Sequence, residues 1–359
     1  MSENAYQPLF GLTRGETLES LHFGAIAVVN ASGDLFAWYG DPDAVTFLRS
    51  SAKPFQALPF IERGGQATYN LTPREVALIC ASHSGTDQHV AVVEAIQVKT
   101  GVAEADLLCG VHYPYDEPTA QALRERNEKP TPNRHNCSGK HTGMLAFTHM
   151  LELDDAFDAE NLTYIDPRHA VQRLILKTFA EMCRMPVPEV NLGTDGCSAP
   201  NFAVPLRCTA MAYARLSDPV AGQVQPEERA AACRTITSAM MFNPDMVAGP
   251  GRFDTRLMEV GQGKIVAKGG AEGYQAIGLL PGAMGADSPA LGIALKISDG
   301  DLKSRARSAV TLEVLRQLGA LSSKQLALLA EFGPRRPIYN WRKIEVGESR
   351  PNFQLMRSA

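Results

Sequence analysis

Ser50-Ser51-Ala52-Lys53 is the first stretch able to do chemistry, with a serine hydroxyl three residues ahead of a lysine amine. At helical spacing the two lie on one face, so the amine can reach the hydroxyl. Burial disfavours a charged lysine, and an uncharged amine can take the serine proton. A helix N-terminus favours the negative charge that develops. The plain alternative is a capping serine beside a solvated lysine. Ser82-His83-Ser84-Gly85 and Lys268-Gly269-Gly270 bring a second serine and a second lysine. Without chemistry they are a helix-end turn and an ordinary strand lysine. Residues 136–143 and 193–201 are rich in Gly and small polar residues, and each stretch presents one cysteine, Cys137 or Cys197. Two thiolates from separate loops could hold a soft or borderline cation such as zinc, with His141 or a neutral Lys140 completing the set. Two unpaired cysteines in tight turns are the bland reading.

The elements that must position these groups are legible in pattern. Residues 24–30 and 35–39 flank the turn-forming Ala31-Ser32-Gly33-Asp34 and predict a β-hairpin. The serines ahead of the apolar 57–61, with Pro54 tolerated in a first turn, predict a helix start. Thr72-Pro73-Arg74-Glu75 has the capping-box pattern of a second helix, running into Ser82. From about 87 to 241 the pattern is mainly helical, interrupted by loops at 133–142 and 193–201. Strand signals return at 264–268, 273–278 and 292–297, and 308–318 reads as an amphipathic helix. The late strands can join the early hairpin in one antiparallel sheet. The expected fold class is therefore α+β, an antiparallel sheet flanked by helices plus a mainly helical lobe. One catalytic domain is expected over 1–359, its α/β lobe at about 1–48 and 260–359 and its helical lobe at about 49–259.

Composition narrows the partners. The chain has 359 residues, 45% of them hydrophobic, enough to fill a sizeable core. A net charge of −4 offers no basic face to nucleic acid and no attraction to an anionic membrane surface. No apolar run approaches the ~18 residues that span a bilayer. Small molecules or a second copy are the expected partners. Seven scattered cysteines suit a reducing compartment, and the start lacks a basic segment followed by an apolar one, so the cytoplasm is the expected location.

Serine-Lys, a second serine element and a Lys-x-Gly strand follow the order of the serine β-lactamase and penicillin-binding proteins. His83 and the short 32-residue spacing from Ser50 to Ser82 depart from that pattern. A closer resemblance is carried by Arg-Ser-Ser-Ala-Lys-Pro-Phe-Gln (49–56), Ser-His-Ser-Gly (82–85) and Leu-Cys-Gly-Val-His-Tyr-Pro-Tyr (108–115). Asn-Cys-Ser-Gly-Lys-His (136–141), Gly-Thr-Asp-Gly-Cys-Ser-Ala-Pro (193–200) and Lys-Gly-Gly-Ala-Glu-Gly (268–273) complete it. Together these segments resemble the signatures of the rhizobial-type (asparaginase II-like) L-asparaginases. The resemblance implies a serine β-lactamase/glutaminase-like fold, a homodimer, and hydrolysis of L-asparagine to L-aspartate and ammonia. It implies two Ser–Lys tandems, Ser50 with Lys53 and Ser82 with Lys268, beside a zinc ion held by Cys137, Lys140 and Cys197. Arg49, His141 and Asp195 would then contact substrate. Some relatives carry a further cysteine near residues 251–255, and this chain has none there. The remaining cysteines read as core or incidental. The competing readings are a penicillin-recognising amidohydrolase or transpeptidase, and a non-catalytic amino-acid sensor.

Overall fold

The computed structural model describes residues 5–153 and 162–358. Residues 1–4, part of the start read as lacking an export signal, and 154–161, part of the helical middle, lie outside them. The chain divides into two compact units. One comprises Met1–Ser51, Ala203–Gln223 and Arg256–Ala359, and the other Ala52–Phe202 and Val224–Thr255.

Twelve strands occur among the described residues: β1 (Gln7–Arg14), β2 (Thr17–Asn30), β3 (Leu35–Tyr39), β4 (Val45–Phe47), β5 (Asn191–Thr194), β6 (Pro200–Pro205), β7 (Ile265–Gly269), β8 (Tyr274–Leu279), β9 (Leu291–Ile297), β10 (Arg336–Tyr339), β11 (Glu345–Pro351) and β12 (Met356–Arg357). The first unit is built on a nine-stranded sheet in the order β10-β11-β1-β2-β9-β8-β7, with β3 pairing β2 and β12. The central pairs are antiparallel, with Ala27 opposite Ala294 and Ala276 opposite Ala294 on its other side. The hairpin and the three late strands are where the sequence predicts them. Asn30 closes the hairpin turn, its Oδ1 accepting from the Gly33 and Asp34 amides at 3.0 and 2.9 Å. β7 and β8 are buried along their whole length, so they read as continuous apolar runs rather than alternating ones.

The helix Leu206–Ser217 lies on β2, β8 and β9. Two glycines let it in. A Cβ at Gly292 would sit 1.7 Å from the Ala210 carbonyl oxygen, and one at Gly278 would sit 2.2 Å from Ser217 Oγ. The sequence reading puts 203–223 in the helical lobe. The structure puts it in the sheet unit instead, because the end of β6 pairs with β4 (Val45 opposite Pro205) and the helix that follows covers the sheet. Replacing Gly292 with Ala is expected to destabilise the protein by about 3 kcal/mol, because helix backbone rather than a flexible side chain must move. Thermal unfolding should show a Tm lower by roughly 6 °C or more. A Tm within a degree of wild type would mean that the helix does not seat there.

The second unit is helical. Lys53–Glu62 is buried from Lys53 to Ile61 and packs on helices Ser138–Leu153, Ala170–Met182 and Glu227–Phe242. Phe179 links Phe55 (5.7 Å between ring centres, edge-on) to Phe202 (4.7 Å, stacked). Arg229 ties the helices together through Glu62, at 2.9 Å, and Glu181. The helix Pro73–Ile79 starts with the expected capping box, Thr72 with Glu75.

Residues 133–142, read as a loop, are corrected: from Ser138 they are helix. Glycine misleads here because it serves packing. A Cβ at Gly139 would lie 2.3 Å from the Leu78 carbonyl oxygen, and one at Gly143 would lie 2.6 Å from Ile79 Cγ2. No helix among the described residues is long and apolar enough to cross a membrane.

Candidate active site

Arg49–Ala52 is a single 3-10 turn that runs directly into the helix beginning at Lys53. The helix takes Ala52 as its N-cap with no side-chain cap bond, and Pro54 falls in the first turn. The capping role offered as the plain alternative for the serine is therefore not what the turn shows. Of the two adjacent serines, Ser51 is the fully buried brace. Its Oγ donates to the Lys268 carbonyl at 2.7 Å, its amide donates to Leu48 O at 3.1 Å, and its own carbonyl accepts from Tyr213 OH at 2.7 Å. Ser50 is half-buried.

Lys268 stands near the end of β7, 1% exposed, with Nζ donating to Gly269 O at 2.8 Å. A Cβ at the neighbouring Gly270 would lie 2.5 Å from Leu48 O, so glycine lets this strand end close against the turn. Within the sheet unit, then, the backbone of Lys268 lies against the turn that carries Ser50. Arg49, ahead of Ser50, has φ 51°, in the left-handed region that non-glycine residues seldom enter. Its guanidinium is 3.9 Å from Glu272.

In the helical unit Lys53 is 1% exposed. Its Nζ donates to Ser82 Oγ at 2.9 Å, to Asn136 O at 3.3 Å and to Ala81 O. Ser82 follows the helix Pro73–Ile79 and is fixed by its amide, which donates to Val247 O at 2.9 Å. The two expected tandems, Ser50 with Lys53 and Ser82 with Lys268, each draw one residue from either unit. The bonds inside the units pair Lys53 with Ser82 and set the Lys268 backbone against Ser51.

Cys137 precedes the helix Ser138–Leu153, and Lys140 and His141 lie in its first turn. Cys197 lies in the turn between β5 and β6, where Ser198 takes φ 69° and the Asp195 amide donates to Ala199 O at 2.9 Å. These two turns converge. Lys140 Nζ donates to Cys197 Sγ at 2.8 Å. A hydrogen bond from the Cys197 thiol, backed by the positive charges of Lys53 and Lys140, holds Cys137 well below the ordinary thiol range. The same bond, followed by burial, pushes Cys197 up. Burial works against charge on Lys140, but the two sulfurs outweigh it and raise its pKa.

His141 faces Cys197 and interacts with its sulfur, and its Nε2 is buried. Burial and then the charge of Lys140 hold its imidazole neutral, with a pKa of about 4, while Nδ1 lies 2.7 Å from Tyr164 OH. Asp195 has Oδ1 on the Gly196 amide at 2.9 Å and Oδ2 3.9 Å from Cys197 Sγ.

The donor set can be weighed for a metal on these contacts. Among the described residues, no group of three or more His, Cys, Asp and Glu is arranged to hold a metal ion. Two buried sulfurs with an amine, next to a buried imidazole nitrogen, nevertheless fit a borderline dication. Such an ion would displace protons from its thiol and amine ligands.

Sequence reasoning missed the Asn136 carbonyl and the buried imidazoles around Lys53. Burial first, then the neighbouring His89 and Lys53, hold His83 well below the usual imidazole range. It accepts the Gly85 amide at Nδ1 (3.1 Å), which leaves Nε2 to donate to Ser138 Oγ at 2.9 Å. Burial followed by the neighbouring His112 pushes His135 to about 3. His83 beside Ser82 and His135 just ahead of Cys137 were the available signal, but the amides of Gly85 and Cys137 that donate to them carry no sequence mark.

The Lys53–Ser82 contact lies beside the sulfur and amine cluster, and comparison with known proteins gives the class, an amidohydrolase. The family description L-asparaginase II matches residues 11–351, and the chain belongs to that family. No curated protein matches. Among solved structures, the chain is similar to a Bacillus subtilis glutaminase in covalent complex with 5-oxo-L-norleucine. Identity is 12%, with 77% of this chain and 80% of that one covered, at a TM-score of 0.34. A Bacillus glutaminase in 4.3 M NaCl gives 12% identity, 85% and 88% coverage, and the same TM-score of 0.34. Likenesses this loose add nothing to the family assignment.

Proposed function

We propose that this amidohydrolase is an L-asparaginase, cleaving the side-chain amide of L-asparagine to L-aspartate and ammonia. The observation that supports it best is Lys53, fully buried, bonded to Ser82 Oγ at 2.9 Å, and three residues along continuous backbone from Ser50. Ser50 Oγ attacks the amide carbon and gives up its proton to the Lys53 amine in its uncharged form. Backbone N–H groups of the turn stabilise the oxyanion, each well-aimed donor contributing about 3 kcal/mol. Ammonia leaves with a proton relayed through Ser82, and water hydrolyses the resulting β-aspartyl ester. Lys268 belongs to this relay by the family resemblance. Arg49 and Asp195 carry charges suited to the substrate carboxylate and ammonium, and His141 supplies a polar contact.

Ammonia release tests this. Asparagine should be turned over with a kcat/KM roughly 10- to 200-fold above that for glutamine, whose extra methylene the pocket must reject. Equal rates on both amides would refute the preference. No ammonia from either would refute the activity.

Zinc is the metal we propose, held by Cys137, Lys140 and Cys197 with His141 adjacent. When bound it would supply positive charge that orients the amino-acid end of the substrate. Elemental analysis is expected to find close to one zinc per chain, falling at least about tenfold in Cys137→Ser, since each thiolate is a principal ligand. Unchanged metal content in that variant would remove the site. A homodimer is proposed on the family resemblance and a cytoplasmic location on the scattered cysteines, and light scattering of the purified protein checks the oligomeric part.

A further inference from the structure

The signature segment Leu108–Tyr115 has no part in the chemistry above, yet its chain is tied to both stretches that hold Lys53. It is irregular backbone, with Val111, Tyr113 and Tyr115 exposed and His112 tucked inward. The Asn136 amide donates to His112 Nε2 at 3.1 Å. With Nε2 accepting, the ring proton sits on Nδ1, which donates to Tyr113 O at 2.6 Å. Asn136 Oδ1 lies 3.2 Å from the same Nε2, and the carbonyl of Asn136 is the one that accepts from Lys53 Nζ. The ring is clamped between Tyr115, stacked at 4.7 Å, and His135 at 4.4 Å, and Arg252 covers the Tyr115 ring.

The second tie runs to the Ser82 turn. The Asp116 amide donates to Ser84 O at 3.0 Å. Gly85, at φ 75°, leaves no room for a Cβ, which would lie 2.7 Å from Arg134 O and 3.2 Å from Pro114 Cβ. Arg134 in turn donates to Gly85 O at 2.9 Å. The segment therefore fixes the spacing between Ser82 and Asn136, whose hydroxyl and main-chain carbonyl both accept hydrogen bonds from Lys53.

We propose that His112 is a positioning residue, which through the Asn136 peptide holds the Lys53 amine at its catalytic placement. The proposal rests on Lys53 acting as the base. A ring nitrogen is required, and ring bulk is not enough. Phenylalanine keeps the stack on Tyr115 but cannot accept the Asn136 amide, whereas glutamine can place an oxygen near the Nε2 position.

The test compares His112→Phe and His112→Gln with wild type for ammonia release from asparagine, zinc content and crystal structure. His112→Phe is expected to lose about 30-fold in kcat, with KM within about threefold and zinc unchanged, because a misplaced base slows the reaction without weakening binding. His112→Gln is expected to recover to within about fivefold of wild type, since it restores the acceptor. Full activity in His112→Phe, or its loss with no recovery in His112→Gln, would overturn the proposal. So would loss of zinc in step with activity, which would place the effect at Cys137. If wild type itself releases no ammonia, the functional reading has failed, and the crystal structure of His112→Phe still decides the positioning. There, Lys53 Nζ remaining on Asn136 O would overturn it, and displacement of Nζ would support it.

Discussion

Ser50→Ala is expected to lower kcat for asparagine by about 10⁴-fold or more, with KM changed little, since removal of a covalent nucleophile leaves only binding and oxyanion stabilisation. The fold should be untouched. Ser50 is half-buried, while the turn is braced by its neighbour Ser51 through Lys268 O and Tyr213 OH. A diazoketone analogue of asparagine should add covalently to the wild-type peptide containing Ser50 and leave Ser50→Ala unlabelled. Because Lys53 bonds to Ser82, the same label settles the competing assignment. An adduct on Ser82, together with near-normal rates in Ser50→Ala, would move the nucleophile to Ser82.

The second large effect is at Lys53. Lys53→Met keeps the length of the side chain and removes the amine, and is expected to lower kcat by about 10³-fold, within the range of general-base contributions. Lys53→Arg should be no better, because a guanidinium stays protonated and its planar fork does not fit a site built around one nitrogen. Lys53→Met also leaves the carbonyls of Ala81 and Asn136 and the hydroxyl of Ser82 without their donor. Each unsatisfied buried group costs about 1–3 kcal/mol, so thermal unfolding should report a lower Tm alongside the lost rate. A variant that keeps a tenth or more of wild-type turnover would show that another group takes the serine proton.

The α+β class, the hairpin, the three late strands and the helix at 307–318 were legible from apolar patterning, nearly continuous in β7, β8 and β9 and at helical spacing in the helix. The same holds for the Thr72 capping box, whose partners are three residues apart. The strands at the other end of the sheet were not. In β1 only Leu9–Leu12 is buried, a short run broken by Gly11, and β10 and β11 are half-buried or exposed, so burial leaves little periodic mark on them. At the site, residue types were readable and pairings were not. Lys53 and Ser82 are 29 residues apart, and Lys140 and Cys197 are 57 apart, distances at which only tertiary packing selects a partner. The two glycines after Cys137 were mistaken for loop signals because sequence does not distinguish a turn glycine from one that lets two helices touch.

Arg49 bears on how this chain can drift. At φ 51° its backbone already occupies a conformation about 1–2 kcal/mol above the ordinary helical one, whatever its side chain does. Substitutions there act on two independent properties, cationic reach and tolerance of an inverted backbone twist. Asparagine or glycine would ease the twist while discarding the charge, and valine or isoleucine would lose on both counts. Natural variation at position 49 should therefore avoid β-branched side chains more strictly than it avoids neutral ones.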